Sequence, residues 1–260
     1  MMYTVLNIGK AGMNAMQNKM DSTADDLANL NTYGYKKKEI SFQELMHNQV
    51  NNREVILSGN ANNGSINMGS KSGIGTINFH QGTIIPSTGD FHMAIEGNGF
   101  FGVRDENGNL MLTRNGGFHI NSNNTITDDS GYPLDIQLNI PFNQWDSSKV
   151  SISVDGRITQ KINGEDVHLG TVVLYNPEIL DSMTPLGEGR YMPSPNVALY
   201  NSINNREAFG NINQYALEAS NVETAKAMAD MITTQRAYSI NAKAIQTTDD
   251  IMQFINNIKR

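Results

Sequence analysis

A glycine-rich hexad, Gly97-Asn98-Gly99-Phe100-Phe101-Gly102, has the G-x-G-x-x-G spacing with which dinucleotide enzymes cradle a pyrophosphate. That chemistry needs a helix to open directly after the glycines, so that its amides meet the phosphates. Phe-Phe-Gly-Val-Arg follows instead, which is strand-forming, and no strand–helix–strand unit surrounds it. The hexad reads as a turn with glycines at positive φ, feeding an aromatic strand into a core. Asp105-Glu106-Asn107-Gly108-Asn109 begins like a calcium loop. Its glycine falls two places early, however, and Gly116 stands where the bidentate Glu should be, so it reads as a hairpin turn. His47, His80, His92, His119 and His168 show neither H-x-x-x-H nor H-E-x-x-H spacing, and no metal site is expected. A Ser-His-Asp triad meets only in space, but no G-x-S-x-G elbow supports one. The absence of cysteine removes thiol catalysis, disulfides and thiolate metal sites. Tyr33-Gly34-Tyr35-Lys36-Lys37-Lys38 mixes aromatic and basic residues as a single-strand binder would. With Glu39 following and a net charge of −7, it reads as a solvated or interface stretch, and no nucleic-acid partner is expected. No catalytic, cofactor or metal residue emerges.

The elements around these residues are of two kinds. Leu6, Met13, Met20 and Leu27 recur every seven residues, with Gly9, Met16, Thr23 and Leu30 three residues after each. This a/d pattern predicts a helix over roughly the first thirty residues, closed near Gly34. Residues 35–75 read as a connector, with a helical turn or two over Ser41 to Val50 and loop at Asn60–Gly64 and Gly69–Gly75. From about residue 76 to 200 the period becomes two. Short strand candidates alternate with turn dipeptides at Asn107-Gly108, Asp155-Gly156 and Asn163-Gly164, with Ser130-Gly131 weaker, as in a β sandwich or barrel. After a return linker at 201–209 the helical period reappears. Ser220-Asn221-Val222-Glu223 has capping-box spacing, nothing breaks the helix before Ile258, and Lys259-Arg260 suit its C-terminal end.

This last helix carries two apolar stripes. Met228, Met231, Tyr238, Ala242, Ile245 and Met252 lie on one; Val222, Ala225, Ala229, Ile232, Ile240, Ala244, Ile251, Ile255 and Ile258 lie on a neighbouring arc. Together they are wider than a two-helix seam needs. The face could pack on the β region of its own chain. Helices at both chain ends around a β middle favour contact between copies instead.

Three segments resemble the bacterial flagellar axial family, the rod and hook proteins. Ala24-Asp25-Asp26-Leu27-Ala28-Asn29-Leu30-Asn31-Thr32-Tyr33-Gly34-Tyr35-Lys36 is similar to that family's A-N-N-L-A-N-x-x-T-x-G-[FY]-K signature. Ala94-Ile95-Glu96-Gly97-Asn98-Gly99-Phe100-Phe101 is similar to its A-I-x-G-x-G-F-F. Leu217-Glu218-Ala219-Ser220-Asn221-Val222, followed by Met231-Ile232 and Gln235-Arg236-Ala237-Tyr238, is similar to its L-E-x-S-N-V…M-I…Q-R-x-[YF]. Asp25-Asp26 replace the usual Asn pair, Asn98 a common Asp, and Ser239 a common Glu. The tail looks most like the distal rod type, with the proximal rod type next.

The resemblance implies an α+β fold in which long N- and C-terminal helices pair as a coiled-coil-like domain beside a central antiparallel β domain. The helical domain would take residues 1–34 and 210–260 and form the inner tube of an assembly. It implies a structural subunit and not an enzyme, self-assembling into a shaft that transmits torque and encloses the export channel. Its partners would be copies of itself, other rod and hook subunits, and the flagellar export apparatus. Localisation would be the flagellar basal body in the cell envelope, reached without a cleaved signal peptide and without membrane insertion. The expected assembly contacts are Leu6, Met13, Met16, Met20, Leu27, Leu30, Val222, Met228, Met231, Ile232, Tyr238, Ile245, Met252 and Ile255. The motif residues are Asn29, Thr32, Gly34, Gly97, Gly99, Phe100, Phe101, Ser220, Asn221, Gln235 and Arg236. A nucleotide-binding or cell-wall-acting enzyme, and an adhesion or phage-tail-like β module, are the competing readings.

Overall fold

A computed structural model describes residues 2–44, 47–49, 65–67, 70–73, 75–123, 125–145, 150–162 and 165–258. The chain divides into two compact units: Met1–Ala28 with Lys38–Thr76 and Glu223–Arg260, and Asn29–Lys37 with Ile77–Val222.

The first, helical unit contains α1 (Met2–Ala28) and α2 (Thr224–Ile258). Both are free of internal proline, and α1 places Gly9 and Gly12 where α2 comes close. A Cβ on Gly9 would lie 2.8 Å from Cγ1 of Ile245, and one on Gly12 3.2 Å from Nδ2 of Asn241. Phe42–Glu44 pairs antiparallel with Ser70–Ser72, and His47–Gln49 with Ser65–Asn67. Within the helical turn expected over Ser41–Val50, residues 42–44 and 47–49 are therefore strand, as are residues 70–72 within the loop expected over Gly69–Gly75. Their pairing partners are too remote in sequence for local periodicity to register. Asn60–Gly64, Asn163-Gly164 and Lys259-Arg260 lie outside the described residues.

The strand unit holds two larger sheets. The six-stranded one runs in the order Thr184–Gly187, Arg190–Met192, Leu110–Thr113, Phe100–Arg104, Leu174–Pro177, Leu199–Asn201, every neighbour antiparallel. The four-stranded one runs Ile136–Leu138, Glu165–Val172, Arg157–Ile162, Val150–Ile152. Successive side chains of a strand face opposite ways, so Phe100 and Phe101 enter different cores. Phe101 meets Phe118 edge-on at 5.3 Å, among Met93, Ile95, Ile158 and Leu174. Phe100 meets Phe79 at 5.6 Å, beside Leu112 and Tyr191. The turns at Gly108, Gly131 and Gly156 adopt φ of +82°, +89° and +85°.

Strands Asn211–Gln214 and Ala216–Glu218 also belong to this unit, pairing with Met93–Glu96 and Ile84–Pro86. Residues 210–222 thus extend the β region, where the sequence reading had already begun the helical domain. The capping box does not form. Ser220 Oγ accepts from the Val222 N–H at 3.3 Å, a local turn, and α2 begins later, the Glu223 carbonyl accepting from Ala227 N–H at 2.9 Å. At one edge of the four-stranded sheet the Gln214 side chain lies against Val150–Ile152. Its Oε1 accepts the Ile152 N–H at 2.8 Å, and its Nε2 donates to the carbonyls of Asp90 at 2.6 Å and Val150 at 3.4 Å.

Candidate assembly surface

Along α2, Ala227, Met231, Thr234, Tyr238, Asn241, Ile245, Thr248 and Met252 alternate at four- and three-residue steps and are buried or half-buried. At 100° per residue this is one continuous stripe. The arc beside and behind this stripe is also apolar, yet exposed: Ile232, Ile240, Ile251, Phe254, Ile255 and Ile258, with Met228 at its margin. Ile240, Phe254 and Ile258 are 69%, 67% and 70% accessible. Covering an exposed Ile or Phe stabilises by about 1.5–3 kcal/mol at most. Six such residues on one helix face therefore hold several kcal/mol of unused association energy, well beyond the scattered apolar residues of an ordinary surface.

The residues expected to make contacts between copies fall into three groups. Met228, Ile232 and Ile255 lie on the exposed face. Met231, Tyr238, Ile245 and Met252 sit on the half-buried stripe, as Leu6, Met13, Met16, Met20 and Leu27 do on α1. Leu30 and Val222 belong to the strand unit, where Val222 is buried; neither is on a helix. Phe254 was missed, although its three-residue step from Ile251 and four-residue step to Ile258 mark it as part of the exposed face.

Most motif residues gather elsewhere, in the strand unit. Glu218 is fully buried and accepts from Lys36 Nζ at 2.5 Å, the Gly82 N–H at 2.8 Å and Arg114 at 3.2 Å. Lys36 Nζ also donates to the His80 carbonyl, and Arg114 to the Gly97 carbonyl. Burial holds the Lys36 ammonium below the usual lysine range, with attraction to Glu218 opposing the shift; Arg114 is lowered for the same reason. Lys36 is therefore a core residue, not part of a solvated stretch. Asn221 accepts the Lys37 N–H at 2.7 Å and donates to the carbonyls of Asn78 at 2.7 Å and His80 at 3.0 Å. Asn29 and Thr32 hold the preceding turn through an Oγ1 to Oδ1 hydrogen bond of 3.1 Å. Gly34, at φ +69°, donates to the Glu218 carbonyl, and a Cβ there would lie 2.3 Å from the Asn115 nitrogen. Gly97 and Gly99 adopt φ of +114° and +125°. Gln235 and Arg236 are exposed on α2.

Residues 94–160 match the flagellar hook protein FlgE/F/G D1 domain, and residues 213–258 the flagellar basal body rod FlgEFG protein C-terminal region. The chain is similar to the flagellar basal-body rod protein FlgG of Borreliella burgdorferi, at 32% identity over all of both chains. It is likewise similar to that of Buchnera aphidicola from Acyrthosiphon pisum, at 31% over 99% of this chain and all of the relative. The Bacillus subtilis protein is 30% identical over the whole of both. The chain belongs to the FlgG family of flagellar rod proteins. Members of this family are structural, and the chain is a structural protein, not an enzyme. For a rod protein the working surface is the face by which it joins neighbours, whereas most motif residues serve the fold of the strand unit. Among the described residues no cluster of His, Asp or Glu is arranged to hold a metal ion, and no helix is long and apolar enough to cross a membrane.

Proposed function

We propose that the chain is a distal-rod-type subunit of the flagellar basal body that polymerises through its terminal helices. In this reading α1 and α2 pair in a coiled-coil-like way, and the exposed side of α2 is covered by helices of neighbouring copies. The product is a tubular shaft that carries torque and encloses the export channel. Its ends join other rod and hook subunits, and its subunits arrive through the flagellar export apparatus. The exposed apolar arc of α2 carries this reading: a helix apolar well beyond its buried stripe belongs inside a bundle larger than one chain supplies. Close packing on both sides also gives stiffness, because dense interfaces resist deformation. The net charge of −7 keeps the free subunit soluble until it is added.

The test is polymerisation of the purified chain, followed by sedimentation and electron microscopy over a concentration series. Ile240→Glu with Ile251→Glu should abolish filaments while leaving helix content unchanged. Val154→Glu, an equally exposed position in the strand unit, should not. Filaments that survive charges on α2, or a chain monomeric at every concentration, would refute the proposal.

A further inference from the structure

The chain passes between its two units at four places: 28/29, 37/38, 76/77 and 222/223. Three of these bring their strand-unit ends to one side chain. Lys37 gives its N–H to Asn221 Oδ1, Asn78 receives Asn221 Nδ2, and Asn221 itself stands two residues before the fourth passage. The Asn78 N–H donates to the Lys37 carbonyl at 2.8 Å, closing the ring. Beneath lies Glu218, which anchors the same segments a second time through Lys36, the Gly82 amide and, by its own carbonyl, the Gly34 amide.

The structure assigns to Asn221 and Glu218 the role of a torque joint, binding three chain passages into one cooperative knot inside the strand unit. This rests on the rod reading for its mechanical meaning. Any moment transmitted between the units along the chain crosses the four passages, and three of them run into this knot. Three independent strands would yield one after another, whereas strands tied to a shared amide and a shared buried carboxylate must yield together. Buried charge makes Glu218 indispensable to the joint: withdrawing it leaves two buried cations, Lys36 and Arg114, without their shared counter-ion. The Asn221 amide accepts from Lys37 and donates to Asn78, and hydrogen bonds chained through one group in this way polarise and strengthen one another in low-dielectric surroundings. Asn221 and Glu218 touch no neighbour in this role. They are positioning residues.

Amide hydrogen exchange on the purified chain carrying Asn221→Ala tests the knot without reference to any rod. The Lys37 amide loses its acceptor and should exchange roughly 10- to 100-fold faster, the effect of losing one to two such bonds. Cooperativity requires the same acceleration at Gly34 and Gly82, whose amides bond Glu218 and not Asn221. The Asp135 amide, held by the Gly102 carbonyl, should be unchanged. Acceleration confined to Lys37 would overturn the proposal. Should this variant fail to fold, Asn221→Asp, which keeps Oδ1 for the Lys37 amide and loses both donated bonds, takes its place: faster exchange at Gly34 and Gly82 is then expected, and unchanged exchange at both would overturn the proposal. Cells carrying the variant supply the second readout. Swimming should be near normal in dilute medium and fall steeply as viscosity rises, because load falls on the joint only then. A coupled exchange response with swimming unaltered at every viscosity would refute the mechanical role while leaving the rod assignment standing. Immobile cells that assemble no rod in any medium would also count against it, since the residue would then act in assembly.

Discussion

Replacing Gly9 by alanine sets two effects of known size against each other. In a helix interior the change gains about 1 kcal/mol, because alanine gives up less backbone entropy. Against this, the new methyl would sit 2.8 Å from Cγ1 and 3.1 Å from Cδ1 of Ile245. Cγ1 belongs to a β-branched side chain with few rotamers to retreat into, and overpacking of this kind costs about 1–3 kcal/mol. The expected net is a loss of roughly 1 kcal/mol. Gly12→Ala meets only the end of Asn241, at 3.2 Å, where a small rotation relieves the contact. It should keep most of its ~1 kcal/mol gain. The assay is urea unfolding followed by helical circular dichroism, run as a double-mutant cycle with Ile245→Ala. Removing Ile245 should turn Gly9→Ala from harmful to stabilising, a coupling of about 1–3 kcal/mol. Equal gains from Gly9→Ala and Gly12→Ala, with no coupling to position 245, would refute the close approach of α1 and α2 and the helix pairing built on it.

Other outcomes test the strand unit. Burial pushes the Tyr191 hydroxyl up to about 12 from its ordinary 10.0. Its contribution is therefore intact below pH 10 and is lost as pH rises through 10 towards 12, at about 1.4 kcal/mol per unit. Urea midpoints across that range should fall, and Tyr191→Phe should flatten the fall. A Cβ on Gly116 would lie 1.6 Å from the Met93 carbonyl oxygen, a backbone atom that cannot step aside. Gly116→Ala should thus cost about 3–5 kcal/mol, read as a lowered melting temperature. Tyr215 holds φ +57° between two strands while its ring is half exposed. Tyr215→Gly should stabilise by about 0.5–1 kcal/mol and Tyr215→Val should destabilise, since β-branching makes the left-handed region worse.

Where a feature was local, the sequence carried it. The heptads of α1, the double apolar face of α2 and the dipeptides Asn107-Gly108 and Asp155-Gly156 each depend on neighbours within a turn or a hairpin. The hexad at Gly97 could be read as a turn because the aromatic residues after it announce a strand. Lys36 failed this kind of reading. Three consecutive lysines look solvated, and the partner that buries the first of them is 182 residues away. The strands at Phe42–Glu44 and Ser70–Ser72 failed for the same reason, their polar residues forming a pair only across a long connection. Ser220 satisfied a spacing rule, but residues 216–218 were already committed to a strand, which left no room for a helix to start there. On α2 the heptad spacing located both stripes, yet which one faces α1 depends on where Gly9 and Gly12 permit approach.

The amide of Gln214, lying along Val150–Ile152, has a consequence for the edge of the four-stranded sheet. An open sheet margin is a template on which any extended chain can zip, and crowded identical molecules are the worst company for one. By imitating a peptide group, Gln214 occupies the Ile152 donor and the Val150 acceptor, so that margin offers a newcomer little to hold. One glutamine guards this border.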